Sequence, residues 1–129
     1  MATKRFTPET AGMTVLYFPI ASITADTTFH VHMPFNMDIY AVNVRYEALG
    51  NADNTGNFSV EDDAVAITAV HAITDAKKAA IQDVALASAD NGKKSVAAGS
   101  DIGLKVDTLA GTTKALTNVM VGIVGILKG

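Results

Sequence analysis

Strict alternation of apolar and polar residues, repeated in several short runs, confines this chain to extended structure. The run at residues 39–46 is the clearest. Tyr40, Val42, Val44 and Tyr46 alternate there with Ile39, Ala41, Asn43 and Arg45. Successive strand side chains point to opposite faces, so this spacing assembles one apolar, aromatic face. A helix of about 3.6 residues per turn would scatter the same residues around its circumference. Phe29, Val31 and Met33 against Thr28, His30 and His32 repeat the pattern, and so do Ile102, Leu104 and Val106 against Gly103, Lys105 and Asp107.

Turn signals separate these runs. Thr24-Ala25-Asp26-Thr27, the Asn-, Asp- and Gly-rich loop at residues 49–57, Asp90-Asn91-Gly92, Gly99-Ser100-Asp101 and Gly111 all break the pattern. Short strands with turns at intervals of roughly ten residues predict an all-β, antiparallel β-sandwich or jelly roll. Val65, Ile67, Ala69, His71 and Ile73 extend the alternation. Residues 74–89 fit two descriptions. Thr74 and Asp75 can cap one short helix with Ala76, Ala80, Val84 and Ala87 on its inner face, and residues 81–87 also fit a strand. The apolar run at residues 119–127 is far shorter than the ~20 residues of a spanning helix and reads as a strand buried on both faces.

The 129 residues fit one domain, placed at residues 13–129, behind a polar arm at residues 1–12 broken by Pro8 and Gly12. The apolar stretch after Lys4 and Arg5 is not a leader in this reading: Glu9 spoils the basic region and Pro19 interrupts the apolar run. Charged residues make up only 18% of the chain, against about 25% in a typical domain. Such a neutral surface is readily accounted for by burial against partner subunits. The net charge of −3 and the absence of any basic block argue against nucleic-acid binding. With no cysteine, the chain has neither disulfides nor thiolate chemistry.

Three constellations carry possible chemistry. His30 and His32 sit two apart on one strand face, a spacing able to grip a metal ion. With His71 as third ligand they would suit a cupin-like, metal-dependent enzyme, although the glutamate and the Pro-Gly surroundings of that pattern are missing. Asn51-x-Asp53-x-Thr55-Gly56, closed by Asp62, resembles a calcium loop, with oxygen ligands at alternate positions. Both sets also read as ordinary polar surface. Ser100 has no activating base nearby in sequence, and no nucleophile elbow, P-loop or dinucleotide fingerprint is present. Tyr17, Tyr40 and Tyr46 suit a core or an interface better than a carbohydrate platform.

The arrangement resembles the small jelly-roll structural proteins of tailed bacteriophages, of the capsid decoration or cement type. The resemblance lies in Phe29-His30-Val31-His32-Met33-Pro34, the run at 39–46, Val96-Ala97-Ala98-Gly99-Ser100-Asp101-Ile102 and the closing run at 119–127. It implies a non-enzymatic protein on the outer capsid surface of a virion, a homo-oligomer and most often a trimer. Such a protein bridges neighbouring major capsid protein subunits without cofactor, membrane or nucleic acid. The arm, with Lys4, Arg5, Phe6, Thr7 and Pro8, is the candidate capsid contact, adding a strand to a capsid edge. The other expectation is a surface module that binds a glycan or receptor.

Overall fold

A computed structural model describes residues 13–20, 22–87, 89–112 and 115–128. Among the described residues, ten strands form two antiparallel sheets packed face to face. They are β1 (Met13–Ile20), β2 (Thr27–His32), β3 (Asn36–Arg45), β4 (Thr55–Asp62), β5 (Val65–Ala66), β6 (His71–Thr74), β7 (Gln82–Val84), β8 (Lys94–Val96), β9 (Asp101–Ala110) and β10 (Val119–Lys128). The first sheet runs β1-β10-β3-β7, with β8 also on β3. The second runs β2-β9-β4-β5, with β6 also on β4. Counting β5 with β6, and β7 with β8, as interrupted single strands leaves eight. Their order, first-eighth-third-sixth over second-seventh-fourth-fifth, is the wiring of a jelly roll.

The alternating runs place the core as their spacing predicts. Val42, Val44 and Tyr46 of the first sheet, with Val119, Val121 and Ile123 of β10, face Ile102, Leu104 and Val106 of β9 and Phe58 and Val60 of β4. All of these are almost fully buried, and together they expel the water that drives the two sheets together.

Three sequence expectations change. Tyr40 does not share the face of Val42. The β3–β10 register slips, with Val124 opposite Ala41 but Gly125 opposite Ile39, so Tyr40 is an extra residue in a bulge. Ile39 therefore points inward and Tyr40 outward. Gly125 makes the bulge possible, since a Cβ there would lie 2.1 Å from the Asp38 carbonyl oxygen. The closing strand is buried on one face only: Met120 is exposed and Val124 and Ile126 are half-exposed. The alternation at 65–73 is not one strand, because the chain leaves β5, bridges Thr68 to Leu86 and re-enters the sheet as β6.

Residues 74–89 resolve mainly in favour of strand. Asp75–Lys77 form a single 3-10 turn, and Thr74 makes no side-chain capping bond. β7 then pairs Gln82 and Val84 with Val44 and Val42. A helix there would leave that edge of β3 without the backbone partners it gains from β7.

Candidate functional site

The two outer faces of the sandwich differ sharply in chemistry. On β1 the even positions Leu16, Phe18 and Ile20 turn toward the core, and Met13, Val15 and Tyr17 turn out. Both sets are apolar, so one must face away from the core. Cross-strand register lines the outward set up with its neighbours: Met13 with Ile126, Val15 with Val124 and Ala41, Tyr17 with Gly122 and Asn43, and Pro19 with Met120 and Arg45. Tyr40 joins them through the bulge. Tyr17 is 61% exposed, and Met13, Val15, Tyr40 and Met120 are each more than a third exposed.

Gly122 leaves a flat spot beside Tyr17, because a Cβ there would lie 2.5 Å from Asn43 Oδ1. The rim is charged. Arg45 pairs with Glu47 at 3.2 Å on one side, and Lys93 with Asp38 at 3.0 Å on the other. An apolar, aromatic centre inside a polar rim is the usual anatomy of a protein–protein interface. Among the described residues no other element covers this face.

The second sheet presents the opposite surface. Thr28, His30 and His32 of β2, Lys105 and Asp107 of β9, and Asn57, Ser59 and Glu61 of β4 all point outward. Lys105 lies 3.6 Å from both Glu61 and Asp107, and His30 Nδ1 lies 2.9 Å from the Asp101 carboxylate. This is a solvated polar face.

The histidines do not converge. His30 and His32 are on the outer face of the second sheet. His71 pairs with the inward Phe58, on the inner face of that sheet, and its Nε2 donates to Gln82 Oε1 at 2.8 Å. A sheet thus separates the third candidate ligand from the other two, and the cupin-like set is not assembled. Among the described residues no group of three or more His, Cys, Asp or Glu is placed to hold a metal ion.

The calcium-loop reading also fails on geometry. Asn51 and Asp53 sit in the loop, where Asp53 Oδ2 accepts from Thr112 Oγ1 at 2.7 Å, but Thr55 begins β4 and Asp62 ends it. Seven residues of extended chain separate the two by about 23 Å, too far for one ion. Gly56 lies within β4, where the pairing with β9 is irregular and a Cβ would lie 2.8 Å from Leu109 Cδ2. The arm residues Lys4, Arg5, Phe6, Thr7 and Pro8 lie outside the described residues.

Two carboxylates have shifted titration. Asp38 is nearly buried and accepts from Ser95 Oγ at 2.6 Å and Lys93 Nζ at 3.0 Å, with Lys128 Nζ at 3.5 Å. The Ser95 hydrogen bond, then the Lys93 bond and the two lysine charges, outweigh burial and hold its carboxyl below the usual range. Burial acts the other way on Asp62. It raises that pKa, with the Asp63 charge adding and a Ser100 hydrogen bond opposing. Asp62 Oδ1 has no hydrogen-bond partner among the described residues. Each carboxylate therefore meets a serine hydroxyl, Ser95 at Asp38 and Ser100 at Asp62. Ser100 is itself buried.

Comparison of the chain with protein-family models, curated proteins and solved structures finds no match. Of the three tyrosines, Tyr46 belongs to the core and Tyr17 and Tyr40 to the outer face. Met13, Val15 and Met120 complete that face. Its sequence signal was a strand apolar at both even and odd positions. In a two-layer protein that pattern marks a surface needing a second cover. Among the described residues no helix is long and apolar enough to cross a membrane.

Proposed function

We propose that the chain is a non-enzymatic structural protein that caps a larger protein assembly through the outer face of its first sheet. In its specific form the assembly is the capsid of a tailed bacteriophage. The protein sits on the outer shell as a homo-oligomer, a trimer by the resemblance, and bridges neighbouring major capsid protein subunits. The reading rests on one observation, the apolar face built by Met13, Val15, Tyr17, Tyr40 and Met120 on a sandwich whose opposite face is polar. A two-faced domain has one side fitted to a partner and one to water. The jelly-roll wiring agrees with the capsid form of the reading, since viral capsid domains use it.

The test is co-sedimentation with assembled shells of the phage that encodes the chain, alongside native mass spectrometry of the free protein. Trimers that bind shells are expected. Tyr17→Glu puts a charge at the centre of the face without touching the core. It should weaken association by about 30-fold, the loss of roughly 2 kcal/mol typical of a buried tyrosine anchor. Shell binding unaffected by Tyr17→Glu would refute the assigned face, and a monomer that ignores shells would refute the function.

A further inference from the structure

The outer face of the first sheet turns polar toward one end. Asp38 lies between the inward Met37 and Ile39 of β3, so its side chain points outward. One cross-strand row runs from Met13 through Ile126 and Asp38 to Ser95. The next row pairs Asn36 with Lys128. Where these rows meet, β3, β8 and β10 enclose a pocket of about 370 Å³, with Asn36, Asp38, Ser95, Ala97 and Lys128 in its lining. The pocket thus flanks the apolar patch on the same face.

Asp38 is only 6% exposed. Ser95 Oγ donates to its Oδ1 at 2.6 Å, and Lys93 Nζ donates to its Oδ2 at 3.0 Å. With a bond to each oxygen, the carboxylate has no need of an added cation. Lys128 is placed differently. Its Nζ stands 3.5 Å from Asp38 Oδ1, beyond the roughly 2.7–3.2 Å of an N–H···O bond. The charge of Asp38 holds it in place, but among the described residues its protons have no hydrogen-bond acceptor. Asn36 uses one end of its amide: Oδ1 accepts from the Ala98 N–H at 2.8 Å, and among the described residues Nδ2 donates to nothing. Asn36 and Lys128 are opposite one another on β3 and β10, with Cβ atoms about 5 Å apart.

The charges favour a monoanion. Lys93 and Lys128 set two positive charges against one on Asp38. Asp90, exposed before β8, acts on Lys93 and does not line the pocket. One ammonium and one amide match the two oxygens of a carboxylate. The second charge of a phosphate would be repelled by Asp38 with no cation left to offset it.

We infer that this pocket is a carboxylate site, in which Lys128 Nζ and Asn36 Nδ2 donate to an aspartate or glutamate side chain of the partner protein that covers the apolar face. The inference rests on the reading of that face as the partner-bearing surface. Apolar contact supplies the bulk of such an interface, and a charge pair at its rim fixes where the partner lands. Because Asp38 already holds Lys128, little side-chain freedom is lost when the acid binds.

Acetate is the probe, read by backbone and side-chain NMR shifts of the intact protein. Saturating shifts at Asn36, Ser95, Ala97 and Lys128 are expected with acetate and not with chloride at matched ionic strength. Lys128→Gln should weaken acetate binding at least about tenfold, the effect of losing a charge-assisted hydrogen bond. Lys128→Arg, which keeps the charge and the donors, should stay within about threefold of the parent. Asn36→Asp keeps an Oδ1 for the Ala98 N–H but replaces the donor with a charge, and should abolish binding. Equal responses to chloride and acetate, inorganic phosphate bound in preference to acetate, or unchanged affinity in Lys128→Gln would each overturn the proposal. Acetate needs no shell, so this titration decides the pocket whether or not the protein binds capsids. On shells, Lys128→Glu should loosen association at least about tenfold. Shells released by Tyr17→Glu but held normally by Lys128→Glu would leave the face standing and overturn the pocket.

Discussion

Removing one oxygen atom from Tyr46 tests how the two sheets are clamped at their far edge. The ring is fully buried, one residue past the end of β3 of the first sheet. Its hydroxyl donates to the Thr74 carbonyl at 2.9 Å and accepts from the Thr74 N–H at 3.1 Å, and Thr74 ends β6 of the second sheet. The Tyr46 carbonyl accepts from Ala79 N at 2.6 Å, so the same residue also holds the crossover between β6 and β7. Gln82 fixes the rest of that crossover. Its Nε2 donates to the Lys77 carbonyl at 2.8 Å, and its Oε1 accepts from His71.

Tyr46→Phe keeps the ring and the packing, so the apolar term is unchanged. It deletes two hydrogen bonds and strands a backbone N–H and C=O in a half-buried position. At about 1 kcal/mol for each bond, the loss should be about 2 kcal/mol, rising toward 3 if water cannot reach Thr74. For a chain of this size that corresponds to a melting temperature lower by about 6–10 °C. Urea unfolding should show the loss as a lower midpoint at unchanged slope, because the buried surface is the same. A loss under about 0.5 kcal/mol would refute the clamp and mean that water satisfies Thr74 equally well.

The two shifted carboxylates should respond to neutralisation with opposite signs. The folded pKa of Asp38 is lowered, so its stabilisation is present above the usual carboxylate range and disappears as pH falls through the folded value. Asp38→Asn should therefore destabilise at pH 7 and converge on the parent in acid, and a constant difference across a urea-melt pH series would contradict this. The folded pKa of Asp62 is raised, so its charge opposes folding above that value and its protonated form favours folding below the unfolded one. Asp62→Asn should stabilise at pH 7 and lose the advantage in acid; destabilisation at pH 7 would contradict the burial argument. Ala64 sits at φ 68° beside Asp63 at φ 49°, in the β4–β5 hairpin turn that wants glycine. Ala64→Gly should stabilise by about 1 kcal/mol in the same melts by removing left-handed strain, and a loss of stability would mean that the turn is not strained.

Much of the fold was legible in the residues because a one-sided strand writes its burial into every second position. Val42, Val44, Tyr46, Ile102, Leu104 and Val106 could be assigned to the core from spacing alone, and Asp90-Asn91-Gly92 and Gly99 marked turns that the chain takes. The misreadings have a common cause. Tyr40 changed face because of a bulge, and a bulge depends on the partner strand, here on Gly125 some 85 residues away. Residues 74–89 suited a helix or a strand locally, and the free edge of β3 at Val42–Val44 decided between them. The calcium pattern in the 51–62 region failed because pairing with β9 stretched Thr55 to Asp62 into a strand.

By itself, then, the sequence determined that this is an all-β chain without disulfides, cut into short strands with a predictable inward face. Those properties depend on side-chain alternation and turn residues, which act over a few positions. It also held, unread, the doubly apolar character of β1. Only the tertiary structure decided which apolar face lies in the core and which is left over, and which side of its sheet each histidine occupies. Each of these depends on the order of strands in a sheet, and that order is set by contacts between residues far apart in the chain.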